Sequence, residues 1–197
     1  ALELAPGNTE ALRESGTLAY TLGKLDEAIS LCARAVDQDP LNAEAYMALA
    51  RPYLAAGRYA EAERTMRTAL EISPGGIRFH LSLSLALLLQ GRHDEALAEA
   101  LQETTDWSRL TALAVVQHAA GRPAEADQAL RELIERRADT AAVQIAQVYA
   151  MRGEADAAFE WLERAYAQRD SGLAILKKHP TYHPIYQDPR WNAFLVK

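Results

Sequence analysis

A single cysteine, Cys32, is present in the 197 residues. One thiol excludes an internal disulfide framework and any CxxC metal or redox motif. The side chain is expected to be small, buried and inert. A reduced, cytoplasmic setting suits it, although a periplasmic one is compatible. Long apolar runs are missing as well. Stretches such as Leu85–Leu89 stop after about a turn, here at Gln90-Gly91, whereas a membrane helix needs roughly 20 apolar residues. No membrane insertion is therefore expected. Ala1 to Pro6 lacks a basic start followed by an apolar run, so it does not read as a secretory leader. Basic residues are outnumbered, 21 Lys and Arg against 27 Asp and Glu, for a net charge of −6 and a pI near 5.4. That balance speaks against a nucleic-acid binder, which needs a basic face.

Catalytic constellations are also lacking. Histidines 80, 93, 118, 179 and 183 are scattered, with no HExxH, no nucleophile elbow and no glycine-rich phosphate loop. His179 and His183 stand four apart, a spacing that could hold a metal on a helix, but Pro180 and Pro184 interrupt any helix there. Pairs such as Asp26-Glu27 and Asp94-Glu95 read as helix starts, where the helix dipole favours negative charge. No catalytic residue, metal or cofactor is assigned.

What is abundant is alanine and leucine, in a chain 49% hydrophobic. Both residues favour helices because they lose little freedom in them. Five related segments recur: GKLDEA from Gly23, GRYAEA from Gly57, GRHDEA from Gly91, GRPAEA from Gly121 and GEADAA from Gly153. Their glycines lie 34, 34, 30 and 32 residues apart, with an alanine five places after each and a small residue (Gly16, Ala50, Ser84, Ala114, Ala146) seven places before. On either side of each glycine run about four helical turns with one apolar stripe. Glycine closes the first helix, small residues let two helices approach, and one hairpin cannot bury its own apolar face, so neighbours stack.

This pattern resembles the tetratricopeptide repeat over nearly the whole chain. Tyr53 and Tyr149 stand where that family has a first-helix tyrosine, and Pro40 and Pro74 where it has a closing proline. Its first-helix tryptophan is replaced by Leu12, Tyr46, His80, Leu110 and Ala142, and its later prolines by Ser108, Ala138 and Asp170. The resemblance implies an all-α, right-handed superhelical solenoid that binds a protein or peptide. Residues 1–170 form the solenoid, with the end of a preceding repeat at 1–8 and hairpins at 9–42, 43–76, 77–106, 107–138 and 139–170. First helices are placed at 9–22, 43–56, 77–90, 107–120 and 139–152, and second helices at 25–38, 59–72, 93–105, 123–137 and 155–169. The 30-residue step implies that about a turn is lost around 100–108. Pro123 suits a first helical position, while Pro52 should bend its helix.

Residues 171–197 read as a capping segment. A short helical pattern, Leu173 to Lys178, is followed by HPTYHP and by Asp188-Pro189, a helix start. Trp191, Phe194 and Leu195 share one face of that last helix. The segment carries a net +3 (Lys177, Lys178, Arg190 and Lys197 against Asp188) in an otherwise acidic chain. The run through Tyr149, Gly153, Phe159-Glu160-Trp161-Leu162, Asp170, Gly172-Leu173 and Asp188-Pro189-Arg190-Trp191 resembles the C-terminal repeat region of bacterial multidomain regulators. In those proteins repeats follow a winged-helix, cyclase or kinase domain, which implies a regulatory alternative in which the partner is the protein's own effector domain.

The candidate site is the concave wall formed by the first helices. In the repeat register Arg13, Thr17, Arg51, Arg78, Leu81, Leu85, Leu88 and His118 project from it. Arg13, Arg51 and Arg78 make a basic strip beside an apolar wall, which suits an extended or helical peptide with acidic and apolar side chains. The opposite reading pairs these arginines with Glu10 and Glu44 and packs the leucines on the chain's own tail or on a missing repeat. Some members of the family hold a C-terminal carboxylate in a lysine–asparagine clamp. The matching places are Arg13, Thr17, Ala48, Arg78 and Ser82, so both asparagines are missing.

Overall fold

The computed structural model describes residues 7–197, so the expected end of a preceding repeat at Ala1–Pro6 lies outside the described residues. The chain alternates first and second helices: α1 Thr9–Thr21, α2 Leu25–Gln38, α3 Ala43–Ala55, α4 Tyr59–Ile72, α5 Phe79–Leu88, α6 His93–Gln102, α7 Asp106–Ala119, α8 Pro123–Arg137, α9 Ala142–Met151 and α10 Ala155–Gln168. Two 3-10 helices, Ser171–Lys178 and Pro180–Ile185, precede the terminal α11, Pro189–Leu195. Among the described residues there is no strand.

Local chemistry sets the boundaries. Asn8 and Asn42 accept from the Ala11 and Ala45 amides at 2.8 and 3.1 Å and start α1 and α3. At Gly23, φ of 80° lets the Lys24 amide reach back to the Ala19 carbonyl at 2.9 Å, a reversal that a side chain would strain. Gly57, Gly91, Gly121 and Gly153 repeat it. The lost turn falls in α6, which has 10 residues where α2 and α4 have 14. Two first helices start later than the spacing predicts. Gly75-Gly76 and a left-handed Arg78 (φ 68°) delay α5 to Phe79. Before α9, the Thr140 and Ala141 amides both bond to the Arg137 carbonyl, so Ala138–Thr140 is a turn. The helix α3 runs on through Pro52 to Ala55.

Each helix packs on its sequence neighbour, and the first helices α1, α3, α5, α7 and α9 also touch one another in series, forming the inner wall of a right-handed solenoid. Small residues set the approach. A Cβ added at Gly16 would overlap Cys32 Sγ and lie 3.2 Å from the Cys32 amide nitrogen, so α1 and α2 meet there only because Gly16 has no side chain. Cys32 is fully buried and its thiol pKa is pushed up to about 11 by burial, the inert state expected.

The C-terminal segment does more than cap. In α11, Trp191 and Phe194 are buried in a cluster with Phe159 and Leu162 of α10, with Leu195 partly covered. The residues before it cross the concave side. Gly172 sits against Val143 of α9, Ile175 packs beside Tyr20 of α1 and Ala55 of α3, and Lys177 and Lys178 lie over Gly23. The chain then returns to α9, where the Tyr182 hydroxyl donates to the Val143 carbonyl at 3.1 Å.

Candidate functional site

The structure separates the eight candidate residues into two groups. Arg51, Arg78, Leu81, Leu85 and Leu88 line one cavity of about 70 Å³ on the concave face. Arg13, Thr17 and His118 do not line it. Arg13 is taken by its own helix: its Nε and Nη2 donate to Glu10 at 3.0 and 2.6 Å, and Nη2 also contacts Glu14. The pairing with Arg13 holds the Glu10 carboxyl below its usual range. Thr17 Oγ1 donates to the Arg13 carbonyl at 3.0 Å, a local bond that leaves the hydroxyl little donor capacity for a ligand. His118 is exposed in the last turn of α7.

The cavity is built by register. Arg51 and Leu54 come from α3, Leu81, Leu85 and Leu88 from successive turns of α5, Val115 from α7 and Gln147 from α9. Leu85 and Leu88 are buried, at 8% and 6% exposure, within the main core cluster, and a roof from the C-terminal segment lines the same cavity. Ile175, His179, Pro180 and Thr181 form it. The tail thus shares the cavity with the leucines. Sequence reasoning missed these four residues as lining groups, although the apolar pair Ile175-Leu176 beside HPTYHP is a signal that the segment is buried.

The electrostatics are unbalanced. Two arginines and, among the described residues, no Asp or Glu line the cavity. Among the described residues the buried Arg51 Nε has no hydrogen-bond partner, nor has the hydroxyl of Tyr20, a residue 3% exposed. Arg78 has no ion pair among the described residues. Burial lowers the pKa of Arg51, and burial together with the Arg51 charge pushes that of Arg78 down to about 10. The nearest carboxylates act at a distance. Among the described residues Glu44 forms no ion pair with either arginine, and Glu103 accepts from the Leu81 and Thr105 amides at 3.2 and 3.1 Å. His179, whose Nδ1 lies 2.7 Å from Thr181 Oγ1, has its pKa depressed to about 3 by burial and by Arg78 and Arg51. It is a neutral roof group. Among the described residues no three His, Cys, Asp or Glu are placed to hold a metal ion, and no helix is long and apolar enough to cross a membrane.

Family models described as tetratricopeptide repeat match residues 19–82 and 53–102, and a second such model matches 111–173. No curated protein matches the sequence significantly. Solved structures with a similar fold include a thermophilic tetratricopeptide repeat protein of Thermus thermophilus. It has TM-score 0.68 and 19% identity, covering 96% of this chain and 100% of that one. A tetratricopeptide repeat protein of Parabacteroides merdae gives TM-score 0.68 and 19% identity, covering 99% and 72%. YrrB, described as a tetratricopeptide repeat protein with an unusual peptide-binding site, gives TM-score 0.55 and 17% identity, covering 89% and 93%.

Proposed function

The chain belongs to the tetratricopeptide repeat family, and on that premise we propose that it is a non-enzymatic protein-interaction module whose concave groove takes a partner segment in place of its own tail. One observation carries this reading. The tail brings Ile175 and Pro180 to the groove but no carboxylate, and among the described residues Arg51 and Arg78 have no counter-ion. A segment with apolar side chains and one acidic group would keep the contacts with Leu81, Leu85 and Leu88 and add charge-assisted bonds to the arginines. Arginine suits that task because its planar fork holds a carboxylate with two parallel bonds. An effector domain joined to the same polypeptide is one source of such a segment. The peptide-binding site described for YrrB accords with a groove of this kind.

The test is titration of a partner recovered from the source cell against two variants. Arg51→Glu should weaken binding and remove most of its salt dependence. Leu85→Asp should weaken it with little change in salt dependence. Unchanged affinity in both variants would move the partner off the concave face.

A further inference from the structure

The cavity roofed by Ile175, His179, Pro180 and Thr181 remains open while the tail is in place, with a volume of about 70 Å³. One water needs roughly 10–15 Å³ by this measure, so there is room for about five to seven water-sized groups. Its lining combines the cations Arg51 and Arg78, beside Tyr20, with a larger aliphatic share from Leu81, Leu85, Leu88 and Val115, and with neutral polar groups such as Gln144 and Gln147. A buried guanidinium nitrogen and a buried hydroxyl without partners are costly, and native proteins seldom leave them so. The unpartnered groups, Arg51 Nε and the Tyr20 hydroxyl, are donors, and among the described residues no lining carboxylate competes for them.

We propose that this cavity binds a small monocarboxylic acid, its carboxylate between Arg51 and Arg78 with Tyr20 as a further donor, and its short hydrocarbon body against the α5 leucines. A small acid with a hydrocarbon body matches a lining in which aliphatic side chains accompany two cations and no carboxylate among the described residues. A peptide would have to displace the roof, whereas a free acid of a few carbons occupies what the tail leaves. The acid therefore completes the tail-bound state of the groove. Binding does not depend on the partner reading; only competition with a partner rests on it.

The experiment uses the intact chain without a partner. Acetate, butyrate, hexanoate and decanoate are titrated by calorimetry and ligand-observed NMR, with hexanamide, inorganic phosphate and an acidic–apolar hexapeptide as controls. The expected result is saturable one-to-one binding strongest at an intermediate length, none for hexanamide, and a loss of at least about tenfold in Arg51→Gln and in Arg78→Gln, as removal of a charged hydrogen bond produces. The chain-length and amide series is run on the unaltered protein, so a poorly folded variant does not spare the proposal. Absence of saturable binding by both butyrate and hexanoate, equal binding of hexanamide or phosphate, or unchanged affinity in both folded variants overturns it. Binding of the hexapeptide with none of hexanoate overturns the acid site and leaves the partner reading intact.

Discussion

Arg51 is a cation set into the inner wall of a helical stack with its Nε buried and unbonded. Such a group is destabilising in the unliganded protein, because desolvation is not offset by a partner. Arg51→Met keeps the aliphatic stem and removes the charge. Its unfolding midpoint in urea should equal or exceed that of the unaltered chain, by about 1 kcal/mol at most; a clear loss would mean that the guanidinium is satisfied in solution. His179 gives a pH effect of definite sign. Its folded pKa, about 3, lies below the unfolded value of about 6.5, so between the two the unfolded chain binds more protons. Stability is complete above about pH 7 and falls as pH drops, by about 2 kcal/mol at pH 5. The groups facing this imidazole are Arg78 and Arg51, which stay charged, and His183, which gains charge on acidification and so further opposes protonation of His179. His179→Asn should flatten the profile between pH 5 and 7 in denaturant titrations, and an unchanged slope would place the titration elsewhere. At this scale the inner position of Arg51 was legible from repeat register. The diversion of Arg13 was also foreshadowed, since Glu10 stands three residues before it on one helix face. His179 was not, because its surroundings come from helices far away in sequence.

Among the elements, helix types and order followed from the glycine spacing, and the errors lie at starts that depend on single residues. Nothing in the apolar stripe says that Arg78 takes the left-handed conformation, or that the turn before α9 holds until Thr140. What the stripe does encode is close packing, and Gly16 makes that testable. Gly16→Ala would gain about 1 kcal/mol in helix propensity, yet its methyl overlaps Cys32 Sγ with the Cys32 and Ala28 backbone just behind. Overpacking should win, with a net loss of about 1–2 kcal/mol. The double change Gly16→Ala with Cys32→Ala should recover most of it. A stabilised single variant would show that α1 and α2 slide apart freely. The cap helix is the second element with a clear cost. Trp191 is 4% exposed, its ring centroid 5.4 Å from that of Tyr182 and 4.8 Å from that of Tyr186. Trp191→Ala should cost about 3–5 kcal/mol, read as a lower midpoint in chemical unfolding.

In the whole molecule the tail changes what kind of solenoid this is. Stacked repeats contact only their neighbours, so their stability is a sum of local terms and their ends fray first. Here Ile175 rests beside Tyr20 in α1 while Gly172 and Tyr182 are held by Val143 in α9, and the first and fifth first helices are tied together across the groove. The repeat pattern could not reveal this, since a segment outside the period has no register to place it. The tie predicts that α1 and α2 are protected beyond what their own interfaces provide. Ile175→Asp should break it at the α1 end, because an aspartate there would sit unpaired in an apolar contact. Native-state hydrogen exchange should then show faster exchange of buried amides in α1 and α2, with α7 to α10 unchanged. Tyr182→Phe, which removes the bond to the Val143 carbonyl but keeps the ring, should produce a smaller increase at the same two helices. If α1 and α2 exchange at the same rate in Ile175→Asp as in the unaltered chain, the tail adds nothing to the amino-terminal repeats and the solenoid behaves as a sum of nearest neighbours.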